Sequence, residues 1–149
     1  MKNSLCLLFL SILLTVPNLG CKKVQEAILG NALEQYFEQT ILNSDFTIQY
    51  AKDRGTDITN QYNGFVFRLL KNTYYDGPMT AVINGTTYTG TWSCTSDFGK
   101  LTIDFDPANS PPELVFVTRS WRFIQKAIPL MKFGPWGSTE ATELHMLRQ

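Results

Sequence analysis

Cysteine is scarce in this chain, three in 149 residues at positions 6, 21 and 94, and histidine is scarcer, with His145 alone. A structural or catalytic zinc site needs several such ligands at fixed spacing, so metal and cofactor chemistry of that kind is excluded. Charge of one sign is missing too. Thirteen basic residues face 13 acidic ones, which leaves nothing to hold a polyanion by counterion release and makes nucleic acid an unexpected partner. Nor is there a hydrophobic run long enough to span a bilayer. The longest, Leu5 to Val16, is twelve residues, whereas a helix crossing a hydrocarbon core of about 30 Å needs about 20. What the chain does have is aromatic surface, 13% against only 17% charged residues, a mixture expected of a folded, β-rich domain outside the cytoplasm.

Lys2, the short apolar run and the helix-breaking Pro17 read as a signal peptide over residues 1–20. Asn18-Leu19-Gly20-Cys21 resembles a bacterial lipobox, with Asn18 in place of the usual aliphatic residue. That reading makes Cys21 the lipidated N-terminus and the membrane a partner through its acyl chains, which at about 0.8 kcal/mol per buried CH₂ hold firmly. Lys22 and Lys23 would sit at the headgroups. The competing reading is an ordinary secretory leader that leaves Cys21 as a free thiol. Under lipidation Cys94 is left alone, with no intramolecular disulfide.

Residues 21–43 are then the lipidated N-terminus and an amphipathic helix. Val24, Ala27, Ile28, Ala32, Leu33, Tyr36, Phe37 and Ile41 fall at helical spacing. Gly30 interrupts the pattern and Asn31 with Glu34 suggests a recapped second segment. The apolar face is expected to plug or cover the domain that follows.

From residue 44 to 149 the period is two. Phe46, Ile48 and Tyr50; Phe65, Phe67 and Leu69; Met79, Ala81 and Ile83; Tyr88, Gly90, Trp92 and Cys94; and Leu101, Ile103 and Phe105 alternate with polar residues. Asn84-Gly85 suits a type I′ hairpin. Leu114 and Phe116 read as a further strand, Trp121 and Phe123 as one running on through a bend at Pro129 to Phe133, and Leu144 and Met146 as the last. About eight short sequential strands imply an antiparallel meander closed into a barrel, a mainly β fold whose interior is just wide enough for side chains or one small ligand.

Thr59 to Phe67, Gly90-Thr91-Trp92-Ser93 with Lys100 to Phe105, Ser120 to Phe123 and Leu144 to Arg148 together resemble the lipocalin-like lipoproteins of Bacteroidetes. The likeness covers most of residues 42–149. It implies an eight-stranded lipocalin-like (calycin-type) barrel behind a lipoprotein signal, held in the cell envelope at the outer membrane, and it implies little about activity. Phe46 stands where that family places a tryptophan.

No residue cluster amounts to an active site, and the chain reads as a non-enzyme. His145 is expected on an outer face with no partner beside it, Cys94 as an inert core filler, and Asp104 and Asp106 as solvated. Trp92, Trp121, Phe67, Phe105, Phe116 and Phe123 point inward, and two readings stand: an apolar pocket for a small apolar or amphipathic ligand, or a packed core. Arg148 shares the inward parity and is expected at the barrel mouth, stacked on an indole such as Trp121 or recognising an anion. Trp136, in Gly134-Pro135-Trp136-Gly137, is either an exposed binding rim or a lid tucked over the barrel end. The chain is thus read as a lipid-anchored binding module. Its rival is a filled barrel, a structural or interaction module that presents the Arg54–Asn60 and Pro135–Thr142 loops to another envelope protein.

Overall fold

The computed structural model describes the backbone of residues 19–149 and the side chains from Leu29 onward. The signal-peptide reading therefore falls almost wholly outside the described residues, and so does the Cys21 side chain. Helix α1 spans Leu19–Thr40 as one piece, with no break at Gly30 and no new start at Asn31. A β-carbon at position 30 would meet nothing within 4 Å, so glycine there costs only its propensity, about 1 kcal/mol. The apolar face of the helix is half used. Phe37 is buried, as are Ile41 and Leu42 in the turn just past the helix end, whereas Leu29, Leu33 and Tyr36 are exposed.

Nine strands follow in chain order: β1 Asp45–Asp53, the two-residue β2 Thr56–Asp57, β3 Val66–Leu69, β4 Asp76–Ile83, β5 Thr86–Cys94, β6 Lys100–Phe105, β7 Ser120–Gln125, β8 Leu130–Pro135 and β9 Glu143–Arg148. Each long strand pairs antiparallel with its sequence neighbour, and β1 also pairs with β9. The eight longer strands thereby close a mainly β meander barrel, and β2 only folds back on the end of β1. The parity of the sequence shows why. Phe46, Phe67, Met79, Trp92, Leu101, Trp121, Phe133 and Met146 are 0–1% exposed, and their immediate strand neighbours, the buried Gly134 apart, turn to the outer face. Asn84 and Gly85 take φ of 50° and 78°, the two left-handed residues that a type I′ hairpin requires.

Two assignments made from the pattern are corrected. Leu114 and Phe116 are not strand residues; Glu113–Val117 is a short helix, α2, whose Leu114, Phe116 and Val117 are buried. Pro112 just before it and Glu113 in its first turn are helix-start residues, and a five-residue apolar run carries too few periods to tell strand from helix. Trp121 to Phe133 is two strands, β7 and β8, joined by a reversal, not one bent strand.

The barrel is stoppered at both ends. At the end where β1 begins, α1 and the turn after it insert Phe37, Ile41 and Leu42; Glu38 takes the Lys71 ammonium, and Glu34 accepts from the Tyr75 hydroxyl. At the other end sit α2 and a 3-10 turn at Thr59–Tyr62, with the buried Tyr62 hydroxyl donating to the Glu113 carbonyl at 2.8 Å.

Candidate functional site

The inward aromatic residues fall into two groups, set by their height along the barrel axis. Under α2, Phe67 stacks on Phe65 at 5.7 Å, Phe65 meets Tyr62, Tyr62 meets Phe116, and Phe116 meets Trp121 edge-on at 5.4 Å; Phe133 links Trp121 to Phe123. Under α1, Phe37 contacts Trp92 at 5.7 Å and Phe98 at 4.7 Å. Trp92 donates its indole N–H to the Leu70 carbonyl at 2.7 Å, and Trp121 donates to the Val117 carbonyl at 3.0 Å. The two tryptophans thus belong to different stoppers and do not share a pocket wall.

A side chain that lined a ligand-sized chamber would carry solvent-accessible surface on the chamber side. Trp92, Trp121, Phe67 and Phe105 are 0–1% exposed and Phe116 is 7%, so these residues meet protein, not space, at the density expected of a core. A gap does lie between α1 and the barrel, bordered by Leu33, Phe37, Phe98, Phe123 and Met131. Its volume is about 20 Å³, room for about one water. Of the two readings open for these residues, the geometry favours the packed core.

Arg148 keeps its expected place at a barrel mouth but not its expected partner, Trp121. It ends β9 opposite Phe46, at the α1 end, while Trp121 lies under α2 at the far end. The arginine on the indole is Arg119, whose guanidinium sits 5.3 Å from the Trp121 ring and 4.8 Å from that of Phe116, with Asp53 at 3.7 Å. Arg119 precedes β7 and follows α2, so strand parity carried no signal for it.

Cys94 is half-buried against the core beside Tyr75, and burial pushes its thiol up to about 12. A thiol so placed stays protonated and inert. Iodoacetamide at neutral pH is expected to leave Cys94 unlabelled in the folded protein and to label it promptly in urea, as read by peptide mass spectrometry.

His145 lies on the outer face as expected, but it has a partner that was not expected. Glu143, two residues earlier on the same strand face, brings its carboxylate to 3.5 Å from Nε2, the Tyr50 ring centre is 5.0 Å away, and Lys132 stands opposite across β8. Glu143 is itself bound by Lys52 at 2.7 Å. Burial first, then Lys132, lowers the His145 pKa below the ordinary 6.5, with Glu143 opposing. The unfolded chain therefore takes up this proton more readily than the folded one, so the stability associated with neutral His145 is complete above 6.5 and is lost as pH falls through the folded value. The urea midpoint is expected to drop as pH falls through that window, and His145→Gln to flatten the drop. An unchanged slope in the variant would assign the loss to carboxylates.

Asp104 and Asp106 are exposed, with Asp106 spent on the turn, where it accepts from the Ala108 N–H at 3.0 Å. Trp136 is exposed over 47% of its surface, and its backbone N–H donates to the Ser120 carbonyl at 3.0 Å. It borders an open groove of about 340 Å³ with Arg122, Ser138 and Thr139. Among the described residues, no three histidine, cysteine or acidic side chains group as a metal site would require.

No family model and no curated protein matches the sequence. Among solved structures the chain is similar to the crystal structure of a DUF4847 family protein from Bacteroides vulgatus ATCC 8482, with a TM-score of 0.53 and 13% identity over 74% of this chain and 95% of that one. At that identity the likeness establishes a shared fold.

Proposed function

We propose that this is a lipid-anchored, non-enzymatic protein of the bacterial cell envelope whose barrel is a filled scaffold, a structural or interaction module that recognises its partner on the outside. The observation that carries the reading is the closed interior: Trp92, Trp121, Phe67 and Phe105 have at most 1% of their surface exposed, so the strands serve to hold surfaces rigid and not to enclose a ligand. Cys21 following Gly20, with Lys22 and Lys23 beyond it, supports attachment by lipid. In that arrangement the part of α1 from Cys21 to Leu33, ahead of the Glu34 and Phe37 contacts with the barrel, is a stalk: at about 1.5 Å per residue it holds the barrel roughly 20 Å from the membrane surface.

Two measurements test this. Palmitate labelling in the producing bacterium is expected in the native chain and lost in Cys21→Ala; label retained in the variant would overturn the anchor. Native mass spectrometry of the soluble form from Lys22 to Gln149, purified without detergent and then exposed to lipid extract, is expected to give a clean mass. A stoichiometric adduct lost in a Trp92→Ala or Trp121→Ala variant that circular dichroism shows to be folded would instead show a carrier.

A further inference from the structure

The outer face of β6, β7 and β8 carries an arrangement that the fold does not explain. Register places Lys100 opposite Arg122 and Arg122 opposite Gly134. In the adjoining row Thr102 stands opposite Ser120, and the Trp136 N–H bonds to the Ser120 carbonyl. The result is a tile two residues deep and three strands wide: two cations and a glycine in one row, two hydroxyls and an indole in the next. Thr102 Oγ1 and Ser120 Oγ lie 3.0 Å apart, and the Lys100 ammonium is 5.5 Å from the Trp136 ring centre. Gly134 is buried beneath Ile124 and Arg122, where a β-carbon would lie 3.2 Å from Ile124 Cδ1 and 3.6 Å from Arg122 Nη2; the open space lies beside it, in the groove that Arg122, Trp136, Ser138 and Thr139 border.

Two like charges directly opposite on neighbouring strands are destabilising. Among the described residues neither Lys100 nor Arg122 is in an ion pair, although acids elsewhere on the barrel are paired. Beside them, a large indole is left 47% exposed on a rigid strand end. Cation pair, open indole and hydroxyls are all accounted for by one kind of ligand, flat and apolar on one side, anionic at an edge and rich in hydroxyls.

We propose that this tile binds an anionic saccharide: a pyranose ring stacked on Trp136, its carboxylate or sulfate between Arg122 and Lys100, its hydroxyls toward Thr102, Ser120 and the rim residues Ser138 and Thr139. The Arg122 fork suits such an oxyanion. Two cations are too few for the counterion release that holds a nucleic acid, and the two exposed apolar side chains of this face, Ile124 and Trp136, offer too little apolar area to hold a bilayer. The proposal deepens the reading that recognition is on the outside and rests on it to that extent only.

The test uses the full chain extracted from its host in non-ionic detergent, titrated calorimetrically with a uronate oligosaccharide, a sulfated oligosaccharide and their uncharged parent. Oligoglutamate, oligothymidylate and anionic phospholipid vesicles are run beside them. At least one charged saccharide is expected to bind more tightly than its parent and to weaken with salt. Trp136→Ala and Arg122→Gln are each expected to weaken it roughly ten-fold, about 1.4 kcal/mol. Lys100→Gln is expected to weaken binding while leaving the urea midpoint equal or higher, since it removes a repulsion; a purely structural lysine would lower the midpoint. Binding by neither charged saccharide, binding indifferent to Arg122→Gln and Lys100→Gln, or equal binding by oligoglutamate, oligothymidylate or vesicles would each overturn the proposal. An adduct inside the barrel would overturn the filled-scaffold reading and leave this titration unaltered, because Trp136 does not face the interior.

Discussion

Trp121→Ala is expected to cost the protein about 3–5 kcal/mol, a large share of the 5–15 kcal/mol by which a domain of this size is held folded. Three losses coincide at this residue. It is 0% exposed, so truncation removes a full indole from the core and leaves a cavity between Phe116 and Phe133, 5.4 and 6.4 Å from its ring. The Val117 carbonyl loses its 3.0 Å donor at a buried site where water cannot replace it. Arg119 loses the ring beneath it at 5.3 Å. Urea denaturation followed by near-ultraviolet circular dichroism is expected to show the midpoint falling by a third or more. A shift within experimental scatter would mean that α2 collapses onto the vacancy and that the far stopper is adaptable.

Gly77→Ala is the second large effect, and it works by crowding instead of emptying. A β-carbon at position 77 would stand 2.0 Å from the Leu70 carbonyl oxygen, 2.9 Å from the Asn72 nitrogen and 3.0 Å from Trp92 Nε1. Two of these are backbone atoms, which cannot swing away. The Leu70 carbonyl is also the acceptor of the Trp92 indole N–H at 2.7 Å, so any movement that admits the methyl group breaks that bond as well. Overpacking of about 1–3 kcal/mol with a buried bond of about 1–3 kcal/mol gives an expected loss of roughly 2–6 kcal/mol. Trp92 fluorescence should report the exposed indole before global unfolding.

Much of this architecture can be read from the chain. Alternation alone puts Phe46, Phe67, Met79, Trp92 and Ile103 inside, and Asn84-Gly85 marks its turn, because parity and left-handed φ are local properties. What parity cannot encode is height along the axis. It assigns Trp92 and Trp121 to the same interior, yet they belong to opposite stoppers, and it assigns Arg148 to an indole that lies at the other end. Nor does it say whether an interior is full: Phe105 looks the same in sequence whether it lines a chamber or, as here, presses on Gly90, where a β-carbon would lie 2.7 Å from its ring. Residues outside the strands were the most opaque. Arg119 and the α2 helix sit in the connection between β6 and β7, where the only usable signals were Pro111-Pro112-Glu113 as a helix start. The Lys100, Arg122 and Trp136 tile needed the register of three strands, which no pattern along one strand contains.

The seam between β1 and β9 sets the order of events when the chain folds. Six residue pairs join these strands, from Phe46 with Arg148 to Lys52 with Glu143, and beyond them the Gln149 amide donates to Thr47, 102 residues away, at 2.7 Å. On its other edge β1 has only two pairs with β3. Apart from β9, every other long strand finds both partners in adjoining stretches of chain, but one edge of β1 must wait, open, until residues 143–148 are free to pair. Closure is then a single late event of high contact order, slow by nature, and a chain stopped short of Glu143 would carry an unmated strand ready to pair with another such chain.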